Sequence, residues 1–217
     1  MKKLVIFDLN GTLIDSVDDL ALATNHALRI RNLPLHEPRE YRAMLGHGVR
    51  SMVQQSLPME FRADEDYLEA CLADFTTYYT AHIDVFSRPY SGVVGLLKEL
   101  NLMGIKVAVV SNKCQRGVEY LMVKFFSSID FVAVMGRREG FPRKLAPESL
   151  AALLAKTNLT KEQVVMVSDS ISDMRRAANV GVDAIAVSWG YRTKEEHAGD
   201  KIVDSVEQLR NEIIYQQ

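Results

Sequence analysis

The sequence predicts an α/β fold in which a doubly wound parallel sheet carries an inserted all-helical domain. Five short apolar runs have the length and composition of buried parallel strands, and helical patterns separate them. Repeated βα units of this kind form parallel sheets that are covered by helices. The five runs cover residues 4–7, 107–110, 131–134, 164–167 and 184–187.

Helical spacing of apolar residues fills the intervals between the later strands. Pro147 suits the first turn of one such helix, where the missing N–H costs nothing. We expect helices over residues 91–103, 115–126, 147–157, 172–180 and 205–215.

One interval is too long to be a simple connection between strands. The first predicted strand is separated from the second by 99 residues, whereas a crossover needs only a dozen or so. Ser16 and Asp19 have the spacing of a capping box, and residues 64–82 carry apolar side chains spaced for one buried helical face. We therefore predict an inserted helical domain over residues 15–86, while residues 1–14 and 87–217 form the core.

The composition argues against several classes of partner. The 217 residues are 47% apolar and 25% charged, and a net charge of -2 offers no bulk attraction to nucleic acid or to an anionic membrane. Residues 4–7 are too few for a signal-peptide core, and no longer apolar run could span a bilayer. Cys71 and Cys114 are isolated thiols, which we expect to be free and buried or partly buried. These features predict a cytoplasmic protein that binds neither nucleic acid nor membranes.

Polar residues follow three of the predicted strands. Asp8 follows residues 4–7, Ser111 follows residues 107–110, and Ser168 and Asp169 follow residues 164–167. Ligands of open α/β sheets bind outside the carboxyl ends of the strands, so we expect these side chains to converge. Two carboxylates in one site repel each other unless a cation lies between them, and magnesium prefers such oxygen ligands. The pattern predicts a magnesium site.

Four short segments resemble the motifs of the haloacid dehalogenase-like superfamily. Its phosphatases normally begin with Asp-x-Asp-Gly-Thr, to which Asp-Leu-Asn-Gly-Thr at residues 8–12 is similar. The insertion falls where the phosphoglycolate phosphatase-like branch carries a helical cap, and residues 45–48 and 189–191 also resemble that branch. The other three motifs resemble Ser-Asn-Lys at residues 111–113, Lys144, and Asp-Ser-x-x-Asp at residues 169–173.

The resemblance implies a Rossmann-like core with a helical cap, and a magnesium-dependent phosphatase acting on a small phosphorylated metabolite. Phosphoglycolate or a sugar phosphate is the implied substrate class, and the oligomeric state is left open. The same resemblance implies that Asp8 attacks phosphorus, and that magnesium is held by Asp8, Asp169 and the backbone carbonyl of Asn10. It further implies that the phosphoryl group is bound by Ser111, Asn112 and Lys144. Thr12 and Asp173 are implied to support the site.

Three residues depart from the family pattern. Asn10 stands where an Asp usually protonates the leaving oxygen and later activates water, and an amide cannot carry a proton in this way. That function is typically worth about 10²- to 10⁴-fold in rate. Leu145 replaces a usual Pro, and Ser168 replaces a usual Gly. An engineered Asp-to-Asn exchange accounts for the first departure only, and natural divergence accounts for all three.

The residues leave alternatives open at this point. Taken singly, Asp8 is a turn residue as readily as a nucleophile, Ser111 and Asp173 are common helix caps, and Lys144 is a common surface lysine. A protein that binds magnesium and phosphate without turnover is the second hypothesis, in which Asn10 has removed activity. A dehalogenase, which needs no metal, is the third.

Overall fold

The structure is a computed structural model that describes residues 2–45, 48–138 and 146–215. The chain divides into two compact units, one formed by Met1–Asp15 with Pro89–Gln217 and the other by Ser16–Arg88. None of the helices in the described ranges is long and apolar enough to cross a membrane.

The first unit contains a six-stranded parallel sheet, which confirms the predicted fold class. All five predicted runs are strands in it, and a sixth strand of two residues was not predicted. Two further short strands, β2 and β3, pair in a separate two-stranded sheet. The strands are Leu4–Phe7 (β1), Ile14–Asp15 (β2), Arg88–Pro89 (β3), Lys106–Cys114 (β4), Phe131–Arg137 (β5), Val164–Ser168 (β6), Asp183–Val187 (β7) and Ile202–Val203 (β8).

The strand order in the large sheet is β5-β4-β1-β6-β7-β8, which puts the first strand in the middle. The helices of the described residues alternate with these strands as expected after residue 90. They are Val17–Arg29 (α1), Pro38–Met44 (α2), Val49–Ser56 (α3), Glu65–Ala81 (α4), Val93–Leu102 (α5), Gln115–Phe126 (α6), Pro147–Thr157 (α7), Ile171–Val180 (α8) and Val206–Ile214 (α9).

Side chains from alternate positions of the central strands form the core of this unit. Leu4 and Ile6 of β1 pack in one cluster with Leu150 and Leu153 of α7 and with Ala177 of α8. Every residue of β1 is buried, as in a strand covered by helices on both faces. This burial explains why such runs are uniformly apolar.

The second unit packs α1 against α2 and α4, and α3 against α2 and α4. The predicted capping box at its start is wrong. The Ser16 side chain makes no capping hydrogen bond, and the Asp19 carboxylate instead accepts hydrogen bonds from Phe86 N (2.9 Å), Ser87 N (2.8 Å) and Ser87 Oγ (2.6 Å). These bonds are preferred over a capping contact because they give the buried Asp19 carboxylate three donors.

The two cysteines are free, and they differ in exposure. Cys71 is buried in α4 as expected, whereas the prediction is wrong for Cys114, which is exposed. The reason lies in β4, which continues past residue 110 with alternating buried and exposed positions. Cys114 occupies an exposed position of that alternation.

Candidate active site

Asp8 lies at the carboxyl end of the central strand β1. Its backbone N–H donates to the carbonyl of Val167 (2.9 Å), so the neighbouring strand β6 holds the chain as it leaves the sheet. The side chain is 8% exposed, and its Oδ1 accepts a hydrogen bond from Leu9 N (2.7 Å). This bond fixes the rotation of a carboxylate that is almost removed from solvent.

Asp169 follows β6 and is buried beside two glycines. A Cβ on Gly11 would lie 2.2 Å from Asp169 Oδ2, and a Cβ on Gly190 would lie 2.6 Å from the same oxygen. Gly11 also has a φ of +79°, in the left-handed region that favours glycine. The carboxylate therefore occupies space that only the absence of two side chains provides.

Hydrogen bonds at its N–H, its Oδ2 and its carbonyl orient Asp169 in this space. Its N–H donates to Thr12 Oγ1 (3.1 Å), and its Oδ2 accepts from Tyr191 N (2.9 Å). Trp189 Nε1 donates to the Thr12 carbonyl (3.1 Å) and anchors the segment that carries Gly190. The bond to the Asp169 carbonyl comes from His197 Nε2 (2.9 Å).

His197 is a residue that sequence reasoning missed. Its side chain is fully buried, and Nδ1 lies 2.9 Å from Asp200 Oδ2. The only sequence signal is a histidine followed three residues later by an aspartate, which has no metal-binding spacing. Its contact with Asp169, 28 positions earlier in the chain, depends on the tertiary fold.

Ser168 connects the nucleophile candidate with Asp173. Its Oγ lies 2.7 Å from Asp173 Oδ2 and 3.5 Å from Asp8 Oδ2, so the stronger bond goes to Asp173. Asp173 is completely buried, and Arg176 Nη1 donates to its other oxygen (3.3 Å). The carboxylate is thus engaged by a neighbouring strand end and by its own helix.

The Asn10 side chain has a property that the sequence did not reveal. Its Oδ1 is buried and has no hydrogen-bond partner among the described residues. Its backbone is held by a bridge between Asn10 and Ile14, so the position itself is ordered by the turn after β1.

The predicted phosphate-binding residues lie on or beyond β4. Ser111 and Asn112 fall within the strand rather than after it, because β4 extends to Cys114. Ser111 is buried and its Oγ accepts from Lys113 N (3.2 Å), whereas Asn112 is exposed. Lys144 and Leu145 lie outside the described residues.

A comparison with protein families shows to which family the chain belongs. The family described as haloacid dehalogenase-like hydrolase matches residues 5–187, a range that includes every site residue predicted from the sequence, from Asp8 to Asp173. The chain belongs to this hydrolase family. Membership confirms the predicted resemblance.

Relatives of this hydrolase carry one recurring name. A phosphoglycolate phosphatase of Vibrio parahaemolyticus is 30% identical over 95% of the chain and 94% of its own length. A second, of Pseudomonas savastanoi pv. phaseolicola, is 31% identical over 97% of the chain and 78% of its own length. Together with the family, they confirm the predicted enzyme class, a hydrolase of phosphoric monoester bonds.

Solved structures resemble the whole hydrolase. A provisionally named phosphoglycolate phosphatase from Lactobacillus delbrueckii subsp. bulgaricus covers 100% of both chains with a TM-score of 0.91 and 28% identity. A predicted phosphoglycolate phosphatase from Haemophilus somnus covers 96% of both with a TM-score of 0.85 and 27% identity. The fold is therefore shared from end to end.

The donors at the strand ends suit a hard cation. Among the described residues, no three His, Cys, Asp or Glu side chains gather into a metal-binding cluster. The predicted magnesium site needs only two carboxylates, from Asp8 and Asp169, together with a backbone oxygen of Asn10. Both carboxylates are buried, and oxygen is the ligand atom that magnesium prefers. The residues fit the ion, and the assignment stays a prediction.

Proposed function

We propose that this hydrolase is a magnesium-dependent phosphatase that acts on small phosphate monoesters through an aspartyl-phosphate at Asp8. The observation that carries the proposal is the placement of two buried carboxylates, Asp8 and Asp169, after neighbouring strands, with Asp169 seated between Gly11 and Gly190. The names of the relatives support a small phosphorylated acid, of the phosphoglycolate kind, as the substrate class.

Different side chains of the site have different roles in phosphoryl transfer. Asp8 attacks phosphorus, and the Leu9 amide that holds Oδ1 restricts the attacking carboxylate to one orientation. Ser111 accepts from Lys113 N, which leaves its hydroxyl hydrogen available for a phosphoryl oxygen. Magnesium, when bound by Asp8 and Asp169, would offset the repulsion between the carboxylate and the phosphoryl oxygens.

Asn10 restricts which substrates turn over. Its amide cannot donate a proton to the departing oxygen or remove one from water, so the leaving group must depart as an anion. Phenols and carboxylic acids do this readily, whereas alkyl alcohols do not. We therefore propose measurable turnover of aryl and acyl phosphates, weak turnover of alkyl esters such as sugar phosphates and phosphoglycolate, and slow hydrolysis of the aspartyl-phosphate.

Steady-state hydrolysis of an aryl phosphate, with and without magnesium, tests the proposal. We expect magnesium-dependent release of phosphate that disappears in Asp8→Asn. Asp18→Asn is a suitable control because Asp18 is an exposed carboxylate outside the site, and this variant should retain turnover. Loss of activity in both variants, or retention in both, would contradict the role of Asp8.

The same assay separates the other hypotheses. A protein that has lost catalysis would bind magnesium and inorganic phosphate in calorimetry and release no product from any phosphate ester. This hypothesis rests on Asn10, which stands in place of the usual Asp. A dehalogenase would release halide from a 2-haloacid without magnesium and would ignore phosphate esters.

A further inference from the structure

His197 lies in a segment that leaves the sheet after β7 and returns to it at β8. A single 3₁₀ turn, Glu195–His197, carries it, and Asp200 N donates to the His197 carbonyl (2.9 Å) to close the turn. The next residue, Lys201, accepts a hydrogen bond from Ala186 N (2.7 Å). The histidine is therefore mounted on a part of the chain that the sheet holds in place.

Both ring nitrogens of His197 face oxygen acceptors. Nδ1 lies 2.9 Å from Asp200 Oδ2, and Nε2 lies 2.9 Å from the Asp169 carbonyl. Asp200 thus fixes the rotation of the ring, and the ring presents its other nitrogen to the backbone of Asp169. This chain of contacts has the form that orients ligands around metal sites, where outer partners hold the groups that touch the ion.

The bond reaches the carbonyl of the residue that precedes Ser170, the N-cap of helix α8. The first turn of α8 bonds to the carbonyl of Ser170, from Asp173 N (2.9 Å) and Met174 N (3.2 Å). The Asp169 carbonyl lies one residue before that point. His197 therefore orients the peptide unit between Asp169 and Ser170, and with it the carboxylate that follows β6.

We propose that His197 is a positioning residue for magnesium binding, which holds the Asp169 peptide so that the carboxylate points at the ion. The inference rests on the proposed magnesium site. Thr12 and Tyr191 hold the N–H and Oδ2 of Asp169, and His197 contacts its carbonyl. Removal of this contact releases the peptide plane while the other two bonds remain.

Two substitutions at one position distinguish this role from mere packing. In His197→Gln the side-chain amide reaches about as far as Nε2 and can still donate to the Asp169 carbonyl. In His197→Asn the amide reaches only as far as Nδ1 and can still contact Asp200. Glu195→Gln, an exposed change in the same turn, is the matched control.

Calorimetric titration of each purified variant with magnesium alone is the measurement. Outer partners of metal ligands are typically worth about 10- to 100-fold in metal affinity, so we expect His197→Asn to weaken magnesium binding by that factor. His197→Gln should bind far more tightly than His197→Asn, and Glu195→Gln should match the unchanged protein. Equal affinities for the two His197 variants, whether both intact or both weakened, would overturn the proposal.

A second variant keeps the test decisive if the buried substitution unfolds the protein. Asp200 is partly exposed, and Asp200→Ala removes only the contact that fixes the ring. It should weaken magnesium binding in the same direction and by a smaller factor, with an intact melting transition. Unchanged affinity in Asp200→Ala would contradict the proposal. Absence of a magnesium signal from the unchanged protein would instead refute the metal site itself.

Discussion

Substitution of Gly190 by alanine tests the packing around Asp169. The added Cβ would lie 2.3 Å from the backbone oxygen of Gly11 and 2.4 Å from Asp169 Cβ, whereas real Cβ atoms essentially never come closer than 3.0 Å to a neighbour. Neither contact is the far end of a flexible side chain, so the backbone must shift. Gly190 does not have a positive φ, which leaves steric overlap as the cause.

The overlap sets the size of the expected effect. Forcing an extra methyl group into a packed site typically costs about 1–3 kcal/mol. For a chain of this length each kcal/mol lowers the melting temperature by about 2–4 °C, so Gly190→Ala should melt about 2–12 °C below the unchanged protein. Because the methyl group displaces Asp169, magnesium binding should weaken as well.

Gly95 provides a matched control, because its substitution by alanine should raise stability rather than lower it. Gly95 lies inside α5, and a Cβ there would meet nothing within 4 Å. Gly95→Ala should therefore stabilise the protein by about 0.5–1 kcal/mol, since glycine is the poorer helix residue. Thermal unfolding followed by circular dichroism compares the two variants. A Gly190→Ala protein that melts at or above the unchanged protein would refute the packing argument.

Three further predictions concern other parts of the molecule. Asn10→Asp should raise kcat/KM for phosphate esters, more for alkyl than for aryl leaving groups, by up to about 10²- to 10⁴-fold; equal gains would contradict the leaving-group argument. Burial raises the pKa of the Cys71 thiol, so iodoacetamide should label the exposed Cys114 in the folded protein and Cys71 only after unfolding, as peptide mass spectrometry would reveal. Asp19→Ala removes the acceptor of three hydrogen bonds and should cost about 3 kcal/mol or more in denaturant unfolding. The exposed neighbour Asp18→Ala should change stability by less than about 0.5 kcal/mol, and similar losses in both would contradict the role of Asp19.

The sheet could be predicted because its central strands are buried on both faces. A run such as residues 4–7 is uniformly apolar for that reason, and each such run was found as a strand. Strands β2, β3 and β8 contain two residues each, too few for any apolar pattern. The capping box failed because Asp19 bonds residues 67 and 68 positions away, which local spacing cannot anticipate.

In the candidate site as well, some residues could be predicted from the local sequence, whereas other contacts depend on the tertiary fold. Asp8 and Asp169 were predictable because each follows an apolar run, and parallel strands bring their carboxyl ends to one edge of the sheet. Gly190 and His197 approach Asp169 only in the tertiary fold, at separations of more than twenty residues. Residues 189–191 resemble a segment of the family branch, but neither that resemblance nor the spacing of the residues predicts these contacts. Within the described part of the chain Asn10 Oδ1 is buried without a hydrogen-bond partner, and the residue type alone does not reveal such burial.

Direct detection of the aspartyl-phosphate tests the proposed mechanism most directly. The protein would be incubated with an acyl phosphate and magnesium, quenched in acid, digested and examined by mass spectrometry. Because Asn10 supplies no base for hydrolysis of the intermediate, we expect a phosphoryl group to accumulate on Asp8 and to be lost on treatment with hydroxylamine. Release of phosphate without any modification of Asp8, or a phosphoryl group on another residue, would contradict the account.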